Sequence, residues 1–245
     1  MIADIRTVMW KEFNEILYVR GNKIGLLFAM IIPALLFGVI FPLQFGSQWT
    51  EAPVSIIVWV IVPFILISAV IADSFAGERE RHTLETLLAS RLSEKSILLG
   101  KLFAVILYAL SVTVIIIVLG LITLNISNGL DGILIFPPKI WLVGVLTGFF
   151  VASIVSNFGT LVSLRASTVR QAQQTLGITM FVLIFSPSFI FEFLPESFKD
   201  IIQDYLGAYD LYVTIAIIAG ILLAVDVFLF IWALRRFKRE LMMLD

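Results

Sequence analysis

The sequence predicts an all-α, polytopic membrane protein: six transmembrane helices forming a single transmembrane domain over residues 1–245. Three observations predict this. Of the 245 residues, 60% are hydrophobic and only 14% charged, against about 25% charged in a soluble domain. The apolar residues gather into six long runs, and the basic residues are divided unevenly among the segments that join those runs. Charge this sparse cannot cover a soluble surface, and disordered chains are charge-rich and apolar-poor, so both classes are excluded. A net charge of −1 leaves no bulk basic footprint for nucleic acid. With no cysteine and one histidine, His82, the chain has no disulfides, no thiolate chemistry and no histidine metal cluster.

The first 23 residues open with an amphipathic helix. Ile5, Val8, Met9, Phe13, Ile16 and Leu17 recur at helical spacing, while Asp4, Lys11 and Glu15 lie off that stripe. Trp10 and Tyr18 suit headgroup depth, so the helix is expected to lie on the cytosolic leaflet before the chain turns inward near Gly21. A crossing helix needs about 20 mostly apolar residues. Segments 24–45, 54–72, 102–124, 140–164, 175–191 and 213–234 meet or approach that length. The first run starts too late, and is too long, for a cleaved signal peptide. The fifth is short and contains Pro187. Pro33 and Pro63 also fall within spans, where a proline frees a carbonyl that needs another partner. The runs are continuous rather than alternating, which argues against an outer-membrane barrel. With the N-terminus in the cytosol, segments 1–23, 73–101, 165–174 and 235–245 hold 15 of the 17 basic residues, and only Lys139 and Lys199 lie outside. Both termini are therefore expected to be cytosolic.

The loop over residues 73–101 is the most informative stretch. Glu78 to Arg81 is a charge run, and Leu84, Leu87 and Leu88 follow at i, i+3, i+4, with Glu85 beside them. Ser93 is placed to cap the next helix, with Glu94 in its first turn. A short amphipathic helix in such a loop lies either against headgroups and the protein's own helix ends, or against a soluble partner. Spacing alone leaves both open.

The run Gly77-Glu78-Arg79-Glu80-Arg81-His82-Thr83-Leu84-Glu85-Thr86-Leu87-Leu88-Ala89-Ser90, with Gly100-Lys101 ahead of the third span, resembles the signature of the type 2 family of ATP-binding-cassette (ABC) transporter permeases. Two positions depart from it. His82 stands where small or basic residues are usual, and Arg91 where a proline often ends the helix. The resemblance implies six spans, an N-terminal elbow helix, an external helix between spans five and six, and a coupling helix that touches a separate ATPase through Glu78, Glu80, Arg81, Thr83, Leu84, Glu85, Leu87 and Leu88. It also implies a complex of two ATPase subunits with two permeases, either two copies of this chain or this chain and a related one. ATP and magnesium would be bound by the ATPase. This chain has no G-x-x-x-x-G-K-[ST] phosphate loop and no cofactor is expected in it.

Three further features bear on function. Asp226 is the only ionisable residue within the six spans, about 13 Å from the cytosolic end of its helix. It either serves a proton or cation path, or is a hydrogen-bonded acid between helices, with Asn157 or a serine as partner. Gly144, Gly148, Ala152, Ser156 and Thr160, spaced by four, form a small-residue ridge beside the polar Ser153, Asn157 and Ser163. Close helix packing and the lining of a path both fit. On the outer side Phe198, Ile201, Ile202, Tyr205 and Leu206 make one face of an amphipathic helix over 196–206, either a lid or a passive interfacial helix. The reading reached is an ABC exporter permease working by alternating access, not itself an enzyme. The alternative is a self-standing channel or proton-coupled carrier using Asp226.

Overall fold

The computed structural model describes residues 1–19, 30–51, 54–129, 132–200 and 211–237. Eight helices are named here: α1 (Ile2–Asn14), α2 (Met30–Thr50), α3 (Val54–Glu80), α4 (Leu84–Ala89), α5 (Glu94–Asn128), α6 (Pro138–Ser163), α7 (Val169–Phe193) and α8 (Leu211–Arg236). A π-helical turn, Glu15–Val19, extends α1. No strand occurs among the described residues. Within those residues five helices are long and apolar enough to cross a membrane: α2, α3, α5, α6 and the Ala216–Arg236 part of α8. Helix α7 covers the fifth expected segment, at residues 175–191. The turn near Gly21, residues 24–29, and residues 201–206 of the external helix lie outside the described residues. The described start of that external helix, 196–200, is helical, with Lys199 paired to Glu196 at 3.1 Å.

Helices α3 and α5 run well beyond the apolar segments that predicted them, α3 to Glu80 and α5 from Glu94, so their ends project and carry α4 between them. Helix α3 closes in a Schellman turn. His82 N–H donates to Arg79 O at 3.1 Å and Thr83 N–H to Glu78 O at 2.9 Å. His82 takes the left-handed conformation, φ 55°, usually left to glycine. Ser93 caps α5, its hydroxyl oxygen accepting from Ser96 N–H at 3.2 Å.

The core is centred on α3, which packs along α6 and also touches α5 and α7. Its contact with α6 is close because Gly144 and Gly148 lie under Trp59. A Cβ on Gly148 would stand 2.9 Å from the indole, and one on Gly144 would strike it outright. Ala152, Ser156 and Thr160 continue the same ridge, all buried. At the far end Trp59, Trp141, Phe136 and Trp49 form a chain of ring contacts 5.0–5.8 Å apart. In α2, Pro42 cannot bond the carbonyl of Gly38. Thr123 of α5 supplies the missing donor, its hydroxyl 2.9 Å from Gly38 O.

Candidate functional site

The charged end of the bundle is organised by four consecutive residues of α3 and the turn after it. Glu78 reaches inward to Lys101 of α5, Oε1 to Nζ 2.8 Å. Lys101 also donates to Glu12 of α1 at 2.8 Å and to Ser74 O at 3.0 Å, and sits 5.2 Å from the centre of the Phe75 ring. Lys101 is 0% exposed, Glu12 1% and Glu78 5%. A cation withdrawn from water this completely is tolerable only because carboxylates and a carbonyl replace its hydration. The approach of α1 that makes this possible needs Gly100, where a Cβ would stand 2.6 Å from Val8. Beside the cluster, burial alone would lower the Lys11 ammonium. Glu12, Glu15 and Glu78 outweigh that and hold it above the ordinary lysine range.

Arg79 turns the other way. Its two terminal nitrogens donate to Leu164 O and Ala166 O, both at 2.9 Å, so it closes the carbonyl end of α6. Glu80 Oε1 accepts from Val169 N–H at 3.0 Å, filling one of the orphan donors at the start of α7. Arg81 folds back onto Asp73 at 3.2 Å over Gly77, where a Cβ would strike the Asp73 carboxylate in this position. Ser163, the last residue of α6, adds a buried tie. Its hydroxyl donates to Ala72 O at 2.8 Å and accepts from Ala76 N–H at 3.0 Å, between the two ends of one helical turn of α3. Three neighbouring residues thus connect to four different helices, α5 from Glu78 and through Lys101 to Glu12 of α1, α6 from Arg79 and α7 from Glu80.

Helix α4 lies over this junction. Leu84, 7% exposed, enters a cluster with Phe75, Ile97, Leu98, Leu102, Leu161, Ala233 and Phe237, and Leu87 packs on its edge. Leu84 and Leu87 therefore face the protein's own helix ends. Its exposed side presents Thr83, Thr86 and Ala89, flanked by Arg81 and His82. The Thr83 hydroxyl donates to Glu78 O at 3.3 Å. The side chains of Glu85 and Leu88 lie outside the described set.

In the apolar interior, Asp226 of α8 accepts two hydrogen bonds from α6, from Ser153 Oγ at 2.7 Å and from Asn157 Nδ2 at 2.8 Å. Ser156 Oγ and Asn157 Oδ1, both buried, find no partner among the described residues.

Glu12 and Arg79 are not among the site residues the sequence marks, Ser163 enters only as part of a polar stripe, and Lys101 only as the end of a motif. A signal existed for Glu12. It stands four residues from Val8 and four from Ile16, in the middle of an apolar stripe, and a charge there implies a buried partner. No such signal marked the partners of Arg79 and Glu80, which are 85 to 89 residues away in sequence.

A family model described as ABC-2 type transporter matches residues 3–201. The chain is also similar to "ABC transporter permease protein NatB" of Bacillus subtilis (strain 168), 26% identical over 149 residues. That match covers 56% of this chain and 39% of the relative, so the chain spans about two fifths of the relative's length.

Proposed function

The chain belongs to the ABC-2 type transporter family, and from that premise we propose that it is the permease subunit of an ABC exporter, driven by a separate ATPase. Six spans carry the polypeptide across the membrane, α7 included, with both termini in the cytosol. Two permeases, identical or related, pair with two ATPase subunits that bind ATP and magnesium. The observation that carries this reading is the junction built by Glu78, Arg79 and Glu80. A short helix on the surface, α4, sits on a turn whose neighbouring side chains grip α5, α6 and α7, and α1 through Lys101. A push on α4 is delivered to four helices at once, as a lever between a motor and the spans requires.

The docking face is the exposed side of α4, Thr83, Thr86 and Ala89 with Arg81 and His82 beside it. Leu84 and Leu87 hold the helix down. Substituting Leu87 by Glu would disturb the permease itself, so that change does not test docking. The clean test places a bulky residue outward. Thr86→Trp should abolish co-purification with the ATPase while the permease stays monodisperse in detergent. Full retention of the ATPase by that variant would sink the assignment. Asp226 does not favour the carrier reading, since both its oxygens are engaged by α6.

A further inference from the structure

A cavity of about 260 Å³ opens between the charged ends of α6, α7 and α8. We propose that it binds an anionic phospholipid, with the phosphate at Arg165 and Gln171 and the start of an acyl chain against Phe158, Leu161 and Trp232. This goes beyond the transport reading and rests only on the chain's lying in a membrane.

The wall and the rim of the cavity differ in chemistry. Phe158, Leu161 and Trp232 make an apolar wall, whereas Arg165, Gln171 and Thr175 bring polar groups to the mouth. No carboxylate lines it. The Arg165 guanidinium pairs with no carboxylate among the described residues, in contrast to Arg81, which is held by Asp73. The Gln171 carbonyl oxygen is already taken by the N–H and hydroxyl of Ser167, at 3.0 and 2.9 Å. What Gln171 has left to offer is its amide N–H. Donors and a positive charge with no carboxylate beside them select an anion, and a guanidinium matches the geometry of a phosphate.

The depth selects a lipid. Arg165 stands two residues beyond the end of α6, and Trp232 precedes Arg235 and Arg236 by one turn of α8. Basic residues and an indole at that level mark the boundary between headgroups and hydrocarbon. The volume lies just below the usual range for ligand pockets, about 300–1,000 Å³, so it accommodates a headgroup and the top of a chain. The remainder of the chain would continue along the exposed apolar surface of Ile178, Phe228 and Ile231. The occupant would also touch the lever, because Arg165 stands between Leu164 and Ala166, whose carbonyls Arg79 holds.

The test uses the full chain in nanodiscs of phosphatidylcholine with a minor fraction of phosphatidylglycerol, and counts the lipids retained on the protein by native mass spectrometry. Wild type should retain phosphatidylglycerol selectively. Arg165→Gln should weaken that retention about five-fold, the usual effect of one basic residue near an anionic surface. Arg170→Gln, an exposed arginine off the cavity, should leave it unchanged. Thr175→Phe, which fills the mouth, should abolish it without removing a charge. Equal losses for Arg165→Gln and Arg170→Gln would mean a diffuse surface potential and overturn the site. So would retention unaffected by Thr175→Phe. If inorganic phosphate displaces the retained phosphatidylglycerol in these same discs, the site belongs to a soluble phosphate compound and the lipid assignment fails.

Discussion

Lys101→Met removes the fully buried cation that pairs with both Glu12 and Glu78. Breaking a buried ion pair by deleting one partner costs about 3–5 kcal/mol, because the remaining charge stays desolvated. The expected outcome is a large drop in the thermal unfolding midpoint in detergent. Combining Lys101→Met with Glu12→Gln and Glu78→Gln should recover most of it, since an uncharged cluster of similar shape carries no such penalty. A triple variant as unstable as the single one would contradict this account. Asp226→Asn is a milder change. The asparagine keeps one acceptor oxygen for Ser153 or Asn157, and hydrogen bonds between membrane helices average about 0.6 kcal/mol. Transport and its pH dependence should be unchanged. Loss of transport with unchanged stability would instead bring back the proton-coupled reading. Both residues show how little of a side chain's surroundings a linear sequence carries. Asp226 stands out as a lone charge in an apolar run, with Asn157 or a serine as partner on one of its two readings. Glu12, on an otherwise apolar stripe, could be paired with Lys101 only after α1 was placed beside α5.

At the scale of elements, the docking proposed for α4 would separate two jobs, receiving force and passing it on. On that reading Thr86 would receive, whereas Arg79 and Glu80 would pass the motion on. Arg79→Ala frees the carbonyls of Leu164 and Ala166, and a hydrogen bond from a charged donor is worth about 1.5–3 kcal/mol. The expected phenotype is uncoupling, with the ATPase still co-purifying and hydrolysing ATP but transport falling steeply. Glu80→Gln should act in the same direction more weakly, because it removes a charge at the start of α7 where such a charge contributes about 0.3–1 kcal/mol. If Arg79→Ala loses the ATPase instead, receiving and passing are not separable here. The helices themselves were legible from apolar runs, and Leu84 and Leu87 from their spacing. What spacing left open was which way α4 faces. Leucines at i, i+3 fit a partner's groove as well as the protein's own core, and only the cluster with Phe75, Leu161 and Phe237 shows that the core takes them. The reach of α3 and α5 beyond the apolar segments was hidden for a similar reason. Polar residues such as Glu78 and Glu94 end an apolar run without ending a helix.

At the scale of the whole molecule, the open structural quantity is the number of crossings, and it turns on α7. This helix has 25 residues, so it is about 37 Å long, enough for a hydrocarbon layer of about 30 Å. Its first turns carry Arg170, Gln171, Gln173 and Gln174, all exposed, and its later turns expose Ile178, Phe181, Val182 and Phe189. That order fits a helix whose start stands in the headgroup layer and whose body lies in lipid. If α7 crosses, the two loops at its ends lie on opposite sides of the membrane. The absence of cysteine from the chain makes this directly measurable, since any introduced thiol is the only one. In intact cells, Asn128→Cys and Glu196→Cys should react with a membrane-impermeant maleimide. Thr86→Cys and Ser167→Cys should react only after permeabilisation. Ser167 and Glu196 labelled from the same side would reduce the count to five and place the two termini on opposite faces. The charge distribution argues against that result. It would carry α8's Arg235 and Arg236, together with the basic residues that follow them, to the outer face, against the excess of lysine and arginine that orients the other segments.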